Sequence, residues 1–251
     1  MGRFDGKSVV VTGAAGGLGG VSALRFAAEG ADVLAVDINE AGLADTAAKA
    51  ADAGGGSLGV AVHDVTTRDD CPAAVATAAE RDGGVDVLAN VAGVVRTHHF
   101  TDVTEQEFDL IMGVNLGGMF WMCQAAVPHL LESEGNIVNV SSNAGLMGQA
   151  YTVAYCSAKA AVINMTRSLA MEYAKTKIRV NAVAPGGMVT SMTTDLHMPD
   201  DLDGKLMLNY LGWRGMAEPD TAAAAICWLA SDEAGRCHGS ILSVDGGLAA
   251  G

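Results

Sequence analysis

The stretch Val11-Thr12-Gly13-Ala14-Ala15-Gly16-Gly17-Leu18-Gly19 follows the apolar run Val9-Val10-Val11 and precedes an Ala-rich segment with the pattern of a helix, near residues 18–29. Glycines at such a strand-to-helix turn let the backbone approach a pyrophosphate, and the N-terminus of the following helix favours its negative charge. An acidic residue, Asp37, ends the next predicted strand. This arrangement predicts a dinucleotide-binding site.

The side chain of Asp37 bears on the identity of the dinucleotide. A carboxylate there can accept hydrogen bonds from both ribose hydroxyls and would repel a 2′-phosphate, so the sequence predicts NAD rather than NADP. No Lys or Arg lies within the glycine loop to offset this charge. In the alternative interpretation Asp37 caps the helix predicted at residues 40–52, a role that Asn39 could equally fill.

The strand-then-helix pattern continues to the end of the chain. Short β-branched runs alternate with longer Ala-rich helical segments, which is typical of a parallel sheet covered on both faces. We therefore predict a single-domain α/β protein over residues 1–251, a Rossmann-type doubly wound sheet of seven parallel strands with helices on both faces. The predicted strands are Val9–Val11, Val33–Val36, Leu58–Val62, Val85–Ala89, Ile137–Val140, Arg179–Val183 and Ile241–Val244.

One segment interrupts this alternation. From Ser191 to Gly215 the sequence contains polar residues, Pro199 and several Met and Leu residues. A long insertion of this kind in a compact domain is usually a lid or a binding loop, so a substrate lid is predicted near residues 188–215. An irregular connection without such a role is the alternative.

Composition and charge exclude several classes of function. Fifteen basic and 29 acidic residues give a formal net charge of −14, which repels polyanions and argues against a nucleic-acid partner. The five cysteines are scattered without a CxxC pair, and the histidines lack paired spacing, so neither a disulfide framework nor a metal site is expected. With no uninterrupted apolar run of membrane-spanning length, the sequence predicts a soluble, cytoplasmic protein without a membrane partner.

The segment Tyr155-Cys156-Ser157-Ala158-Lys159 places a phenol and an ammonium group four residues apart at a predicted helix start. At this spacing the two side chains lie on one face of a helix. A nearby positive charge favours the phenolate, so we expect Lys159 to lower the pKa of Tyr155. Ser142, at the end of an apolar run, could add a hydroxyl to the same place. In the alternative interpretation, Tyr155 and Lys159 simply lie on a solvent-exposed face of the helix.

A series of short motifs follows the predicted strands and helices in a fixed order. They are Thr12-Gly13 with Gly17 and Gly19, Asp64-Val65, Asn90-Val91-Ala92-Gly93, Asn115, Ser142, Tyr155 with Lys159, Pro185-Gly186 with Thr190, and Val244-Asp245-Gly246-Gly247. This set resembles the short-chain dehydrogenase/reductase family along nearly the whole chain. Val91 departs from the second Asn that the family has at this position.

The resemblance implies a role for each matching residue. Tyr155 would exchange a proton with the substrate oxygen, Lys159 would bind the nicotinamide ribose and lower the tyrosine pKa, and Ser142 would hold the substrate oxygen. Asn115 would keep a water in line with Lys159, or would only satisfy a helix kink. The residues expected to bind NAD are Gly13, Ala15, Gly17, Leu18, Gly19, Asp37, Ile38, Asp64, Val65, Asn90, Ala92, Gly93, Tyr155, Lys159, Pro185, Gly186, Met188 and Thr190.

The resemblance also suggests where the substrate binds. The residues expected to contact it are Ser142, Asn143, Met147, Gln149, Met192, Met207 and Leu211. Their thioether and aliphatic groups suit a hydrophobic secondary alcohol or ketone, although methionines are also common core filler. His98 and His99 could meet a polar substrate group at the rim or could face solvent.

Three functions remain open at this point. An NAD-dependent alcohol dehydrogenase or ketone reductase is predicted, because the YxxxK spacing differs from that of the family's enoyl reductases. A β-ketoacyl carrier-protein reductase shares the four residues but is disfavoured by Asp37 and by the acidic surface. A non-catalytic NAD-binding sensor or scaffold is the third. Apolar helices near residues 104–131 and 153–174 suggest the homotetramer that is usual in the family.

Overall fold

A seven-stranded parallel sheet forms the centre of the protein. The computed structural model describes residues 2–53, 55–207, 210 and 214–250. The strands lie in the order β3-β2-β1-β4-β5-β6-β7 and every pair is parallel, which confirms the predicted fold class. Their bounds are β1 Ser8–Thr12, β2 Asp32–Asp37, β3 Ser57–Val62, β4 Val87–Asn90, β5 Asn136–Val140, β6 Arg179–Pro185 and β7 Ile241–Val244.

Helices cover both faces of this sheet. Those described by the structure are α1 Gly17–Ala28, α2 Glu40–Ala53, α3 Asp70–Asp82, α4 Glu105–Met112, α5 Met119–Ser133, α6 Val153–Glu172, α7 Ser191–Thr194 and α8 Pro219–Ala230. A π-helical segment, Gly113–Gly118, joins α4 to α5. Side chains alternate along β1: Val9 and Val11 pack with α1, α2 and α8, whereas Val10 packs with α3, α5 and α6. The sheet is therefore buried on both faces, as its apolar strands predict.

The helical stretch Glu105–Ser133, composed of α4, the π-helical segment and α5, is long and apolar enough to cross a membrane by length and composition. Met122, Cys123, Ala126 and Leu130 on this stretch are buried in the core under the sheet. Core helices meet the same criterion, and packing on the sheet accounts for the apolar residues of its buried face.

The order of the strands determines where a ligand can bind. After β1 the chain runs outward through β2 and β3, then returns to the other side of β1 as β4. The loops after β1 and β4 therefore leave in opposite directions from adjacent strands and open a crevice at the carboxyl edge of the sheet.

The connection from β6 to α8, residues 186–218, leaves the sheet and returns to the same place. Met188 pairs with Ala217 in an isolated parallel bridge. The Val189 N–H donates to the Ala217 carbonyl at 3.0 Å, and the Ala217 N–H donates to the Gly187 carbonyl at 2.9 Å. We refer to the residues described between these two ends, 190–207, 210 and 214–216, as the flap; the lid predicted near residues 188–215 falls on this connection.

Candidate active site

The glycine loop packs too closely for other side chains. Gly13 has φ +71, and a Cβ added to it would lie 2.7 Å from Cα of Ala92. A Cβ on Gly19 would lie 2.0 Å from the carbonyl oxygen of Gly13. Thr12 Oγ1 accepts the N–H groups of Val91 at 3.0 Å and Ala92 at 3.2 Å, which joins the ends of β1 and β4. These contacts explain why the loop needs its glycines and its threonine.

The N-terminus of α1 is a place where an anion can bind. The helix begins at Gly17, and Gly16 before it has no side chain with which to cap the first N–H groups. The first turn contains no acidic residue. Gly13, Gly16 and Gly17 line the cavity, so the unpaired N–H groups and the positive end of the helix dipole lie beside it. A pyrophosphate fits these donors.

Asp37 lies at the same end of the cavity. Its Oδ2 accepts the Ala15 N–H at 3.1 Å and its Oδ1 accepts the Asn39 N–H at 3.0 Å. The start of α2 is capped instead by Asn39, whose Oδ1 accepts the Gly42 N–H at 3.1 Å. The capping role therefore belongs to Asn39. Each oxygen of Asp37 accepts one N–H, which holds the carboxylate beside the cavity with lone pairs left for further donors.

Four residues predicted to bind NAD do not line this cavity, namely Ile38, Asp64, Val65 and Asn90. Asp64 Oδ1 accepts the N–H and the hydroxyl of Thr66, at 2.8 and 2.7 Å. Asn90 is fully buried, and its Nδ2 donates to Asn139 Oδ1 at 2.9 Å, between β4 and β5. Asn90 thus supports the sheet beneath the site. The other predicted NAD-binding residues line the cavity.

Tyr155, Lys159 and Ser142 line the opposite end of the same cavity. The first two lie on α6, and the amino group of Lys159 is 5.7 Å from the centre of the Tyr155 ring. Lys159 Nζ donates a hydrogen bond to the Val140 carbonyl at 2.9 Å. Ser142 Oγ donates to Asn143 Oδ1 and accepts the Ala144 N–H, both at 3.1 Å. The structure therefore brings the three residues together, as the sequence predicts.

Burial dominates the proton affinities of this group. It raises the pKa of Tyr155 to about 12, with a hydrogen bond to Ser142 acting in the opposite direction. Burial also lowers the pKa of Lys159 to about 7. The expectation that Lys159 lowers the tyrosine pKa was wrong for the protein without ligand. Removal from water disfavours both charged forms, and an amine that is partly neutral exerts little field on its neighbour.

Asn115 is fully buried in the π-helical segment and does not line the cavity. Its Nδ2 donates to the carbonyls of Ile111 and Val94, both at 2.8 Å, and its Oδ1 accepts the Val94 N–H at 3.2 Å. A Cβ on Gly93 would lie 2.9 Å from Asn115 Oδ1 and 3.5 Å from Lys159 Nζ. The side chain thus satisfies the helix irregularity and holds the loop after β4 close to Lys159.

The wall of the cavity around Tyr155 differs in part from the prediction. Ser142, Asn143, Gln149 and Met192 line it as expected, whereas Met147 and Met207 do not, and Leu211 lies outside the described residues. Met147 is in the turn after the Asn143–Gly145 helical turn, next to exposed Leu146. Thr152, Leu196 and Tyr210 were not predicted and line the wall.

Of these three residues, only Thr152 carries a signal in the sequence, since it lies three positions before Tyr155 at the same helix start. Leu196 and Tyr210 are on the connection between β6 and α8, and no pattern in the sequence predicts the path of that connection.

The cavity has a volume of about 380 Å³ and is continuous from the glycine loop and Asp37 to Tyr155. It lies in the crevice between the loops after β1 and β4. One end presents helix N–H groups and a carboxylate, and the other presents a phenol, an amine and a hydroxyl. A dinucleotide bound along it would reach the phenol with its far end.

Known proteins are similar to this chain in sequence and in fold. The adh_short_C2 family model, described as Enoyl-(Acyl carrier protein) reductase, matches residues 13–249. The chain is 38% identical to 3-oxoacyl-[acyl-carrier-protein] reductase FabG of Thermotoga maritima, over 98% of this chain and 99% of that protein. It is also 38% identical to meso-2,3-butanediol dehydrogenase of Serratia marcescens, over 99% of this chain and 96% of that protein.

A crystal structure of a short chain dehydrogenase from Mycobacterium paratuberculosis bound to NAD has a TM-score of 0.90 and 30% identity, with 100% of both chains covered. The similarity thus extends over the sheet, the glycine loop and the segment that carries Tyr155. The chain belongs to the short-chain dehydrogenase/reductase family, and it is an oxidoreductase that acts on CH–OH groups.

Proposed function

We propose that the protein is an NAD(H)-dependent oxidoreductase that interconverts a hydrophobic secondary alcohol and its ketone. The observation that carries this proposal is the single cavity with Asp37 at one end and Tyr155, Ser142 and Lys159 at the other. It supports a dinucleotide and a small substrate bound side by side.

The donor set of the cavity fits NAD. The N-terminus of α1 would hold the pyrophosphate, and the Asp37 carboxylate would accept hydrogen bonds from the ribose hydroxyls and repel a 2′-phosphate. Pro185, Gly186, Met188 and Thr190 line the cavity on its other side and would hold the nicotinamide end. When bound, the nicotinamide accepts or supplies the hydride.

Tyr155 would act as the acid and base. With a pKa of about 12 it is a phenol at neutral pH, able to donate its proton to a carbonyl oxygen during reduction. Ser142 would turn its hydroxyl from Asn143 Oδ1 toward the substrate oxygen and stabilise the charge that develops there. Lys159, whose pKa is about 7, can take up and release a proton near neutrality and would carry it away from Tyr155 during oxidation.

The wall around Tyr155 supports an apolar substrate with one or two polar groups. Val95, Met188, Met192 and Leu196 supply adaptable apolar surface. Side-chain oxygen or amide groups of Asn143, Gln149, Thr152 and Tyr210 line the same wall. A secondary alcohol or ketone with apolar substituents fits this mixture better than a free sugar.

Reduction of a β-ketoacyl thioester is the second candidate, because the Thermotoga maritima relative is named for it. Two features of this chain oppose that reaction. Asp37 disfavours the 2′-phosphate of NADPH, and the net charge of −14 repels an acidic carrier protein. A non-catalytic sensor is opposed by the presence of Asn115, Ser142, Tyr155 and Lys159 together.

A substrate panel tests the proposal. Secondary alcohols with NAD, and ketones with NADH, are followed by the NADH absorbance, and each is repeated with the 2′-phosphorylated cofactor. We expect turnover of apolar alcohols with a clear preference for NAD. Faster reduction of an acetoacetyl thioester with NADPH than of any ketone with NADH would favour the second candidate. Absence of turnover with every pair, together with tight NAD binding, would favour a sensor.

We also propose a homotetramer in the cytoplasm. A groove on α4, the π-helical segment, α5 and α6 is lined by Met112, Leu116, Phe120, Trp121 and Met165, and Phe120 is 46% exposed. An apolar groove on these helices supports their pairing with a second copy. The five cysteines are all free, which suits a reducing compartment. Light scattering coupled to gel filtration measures the mass of the assembly.

A further inference from the structure

Described residues of the flap between β6 and α8 contact one short segment of the body of the protein, Ala150-Tyr151-Thr152. This segment immediately precedes α6, the helix that carries Tyr155 and Lys159. The hydroxyl of Tyr210, from the flap, donates to the Ala150 carbonyl and lies 3.2 Å from Thr152 Oγ1. Thr152 is buried and lines the cavity.

Tyr151 makes the second attachment. Its hydroxyl accepts the N–H of Asp203, in the flap, at 2.8 Å. Its ring lies edge-on to the ring of His99, with centres 5.3 Å apart. His99 Nε2 in turn lies 2.8 Å from Asp201 Oδ1, also in the flap. Tyr151 therefore contacts the flap directly and packs against His99, which also contacts the flap.

The backbone of Tyr151 is strained. Its φ of +62 lies in the left-handed region, which a tyrosine adopts rarely, and Glu134 is the other non-glycine residue with positive φ in the part of the chain the structure describes. The Tyr151 carbonyl accepts the His98 N–H at 2.9 Å, so the strained residue is fixed on both sides. Strain of this kind is kept where the surrounding contacts over-determine it, and it is common at sites that position other groups.

A third contact acts beside these. Thr97 Oγ1, in the loop after β4, donates to the carbonyl of His197 in the flap. The loop after β4, the segment before α6 and the flap are thus joined around the entrance to the cavity. The His99–Asp201 pair is exposed, so it contributes little free energy to holding the flap in place. The strained backbone of Tyr151 lies between these contacts.

We propose that Tyr151 is a positioning residue that clasps the flap shut over the substrate and ties its closure to the start of α6. The name clasp denotes the contacts of Tyr151 with Asp203 and His99 and of His99 with Asp201. When the clasp is closed, Met192 and Leu196 of the flap line the same cavity as Tyr155. When it is open, the substrate can enter and leave.

The test is Tyr151→Phe, which removes the hydroxyl and keeps the ring. Loss of one hydrogen bond that stabilises the closed flap should raise KM for the alcohol about threefold to tenfold. The kcat, the KM for NAD and the unfolding temperature should stay close to wild type. Hydrogen–deuterium exchange of residues 196–207 should become faster, with no change in the strands. Tyr173→Phe is the control, since Tyr173 lies at the end of α6, away from the flap.

Asp201→Asn provides a second test from the flap side. It should raise KM for the alcohol and the exchange rate of the flap by about twofold, as expected for an exposed pair. Asp200→Asn, at the neighbouring exposed position, is its control and should change neither. This variant decides the question if Tyr151→Phe fails to fold.

Two results would overturn the clasp. One is flap exchange and KM in Tyr151→Phe equal to those of Tyr173→Phe, and the other is a lower unfolding temperature with KM unchanged, which indicates a merely structural role. The exchange experiment requires no turnover. If wild type oxidised no alcohol, the proposed function would fail. The exchange rates of Tyr151→Phe, compared with those of wild type and Tyr173→Phe, would still test the clasp.

Discussion

Replacement of Lys159 by methionine should stabilise the cofactor-free protein while it removes a residue proposed for the chemistry. Lys159 is 2% exposed, and burial lowers the pKa of its amine from 10.5 to about 7. A tenfold change in proton affinity is worth about 1.36 kcal/mol, so burying the ammonium form costs about 4–5 kcal/mol below pH 7. The variant in turn loses about 1 kcal/mol of stability, because the Val140 carbonyl no longer has its donor. We expect Lys159→Met to be more stable than wild type by about 3 kcal/mol at pH 7.

The pH dependence has a definite sign. Between the folded value of about 7 and the unfolded value of 10.5, the unfolded chain binds more protons at this amine, so the stability of wild type rises with pH. Lys159→Met lacks this contribution. The stability difference between the variant and wild type should therefore shrink by about 2 kcal/mol from pH 7 to pH 9. Other groups, such as Tyr155 with its raised pKa, are common to both proteins and cancel.

Urea unfolding at pH 7, 8 and 9, with both proteins free of cofactor, measures this difference. Lys49→Met is the control, because Lys49 is an exposed helix residue paired with Asp45 and should change stability by less than about 0.5 kcal/mol. A Lys159→Met protein less stable than wild type at pH 7, or a difference that does not change with pH, would refute the reasoning. The amine would then be charged in the fold at no cost.

Three further substitutions, with Gly6→Ala as a control, test other parts of the site. Asp37→Ser should raise kcat/KM with NADP relative to NAD at least about tenfold, because the repulsion of a 2′-phosphate is lost; an unchanged ratio would contradict the role of Asp37. Gly13→Ala and Gly6→Ala share φ +71, but only the former meets a neighbour, Ala92, at 2.7 Å. Gly13→Ala should therefore cost about 2 kcal/mol more in urea unfolding. Thr12→Val removes the acceptor of two N–H groups at the end of β4 and should cost about 1–3 kcal/mol.

The parts of the fold that follow from local patterns could be predicted from the sequence. A strand buried on both faces has no polar alternation, so Val9-Val10-Val11 identifies β1 without knowledge of its neighbours. The glycine loop is predictable for a similar reason, because its close contacts lie within one turn or between adjacent strands. Tyr155 and Lys159 share a helix, so their spacing alone places them on one face.

The features that the sequence does not predict depend on distant contacts. The pKa of Lys159 is set by how completely the fold excludes water from it, which no spacing reveals. Leu196 and Tyr210 reach the cavity because the connection after β6 folds back on itself, and Met207, nearby on the same connection, does not. The π-helical segment around Asn115 is stabilised by a hydrogen bond to the loop after β4, 21 positions away in sequence.

Tyr155→Phe tests the central claim most directly, since it removes one oxygen atom and keeps the ring. We expect kcat for alcohol oxidation to fall at least about a thousandfold, because no acid or base remains at the substrate oxygen. The dissociation constant for NADH, measured by fluorescence titration, should stay within about twofold of wild type. A Tyr155→Phe protein that keeps wild-type turnover would contradict the account.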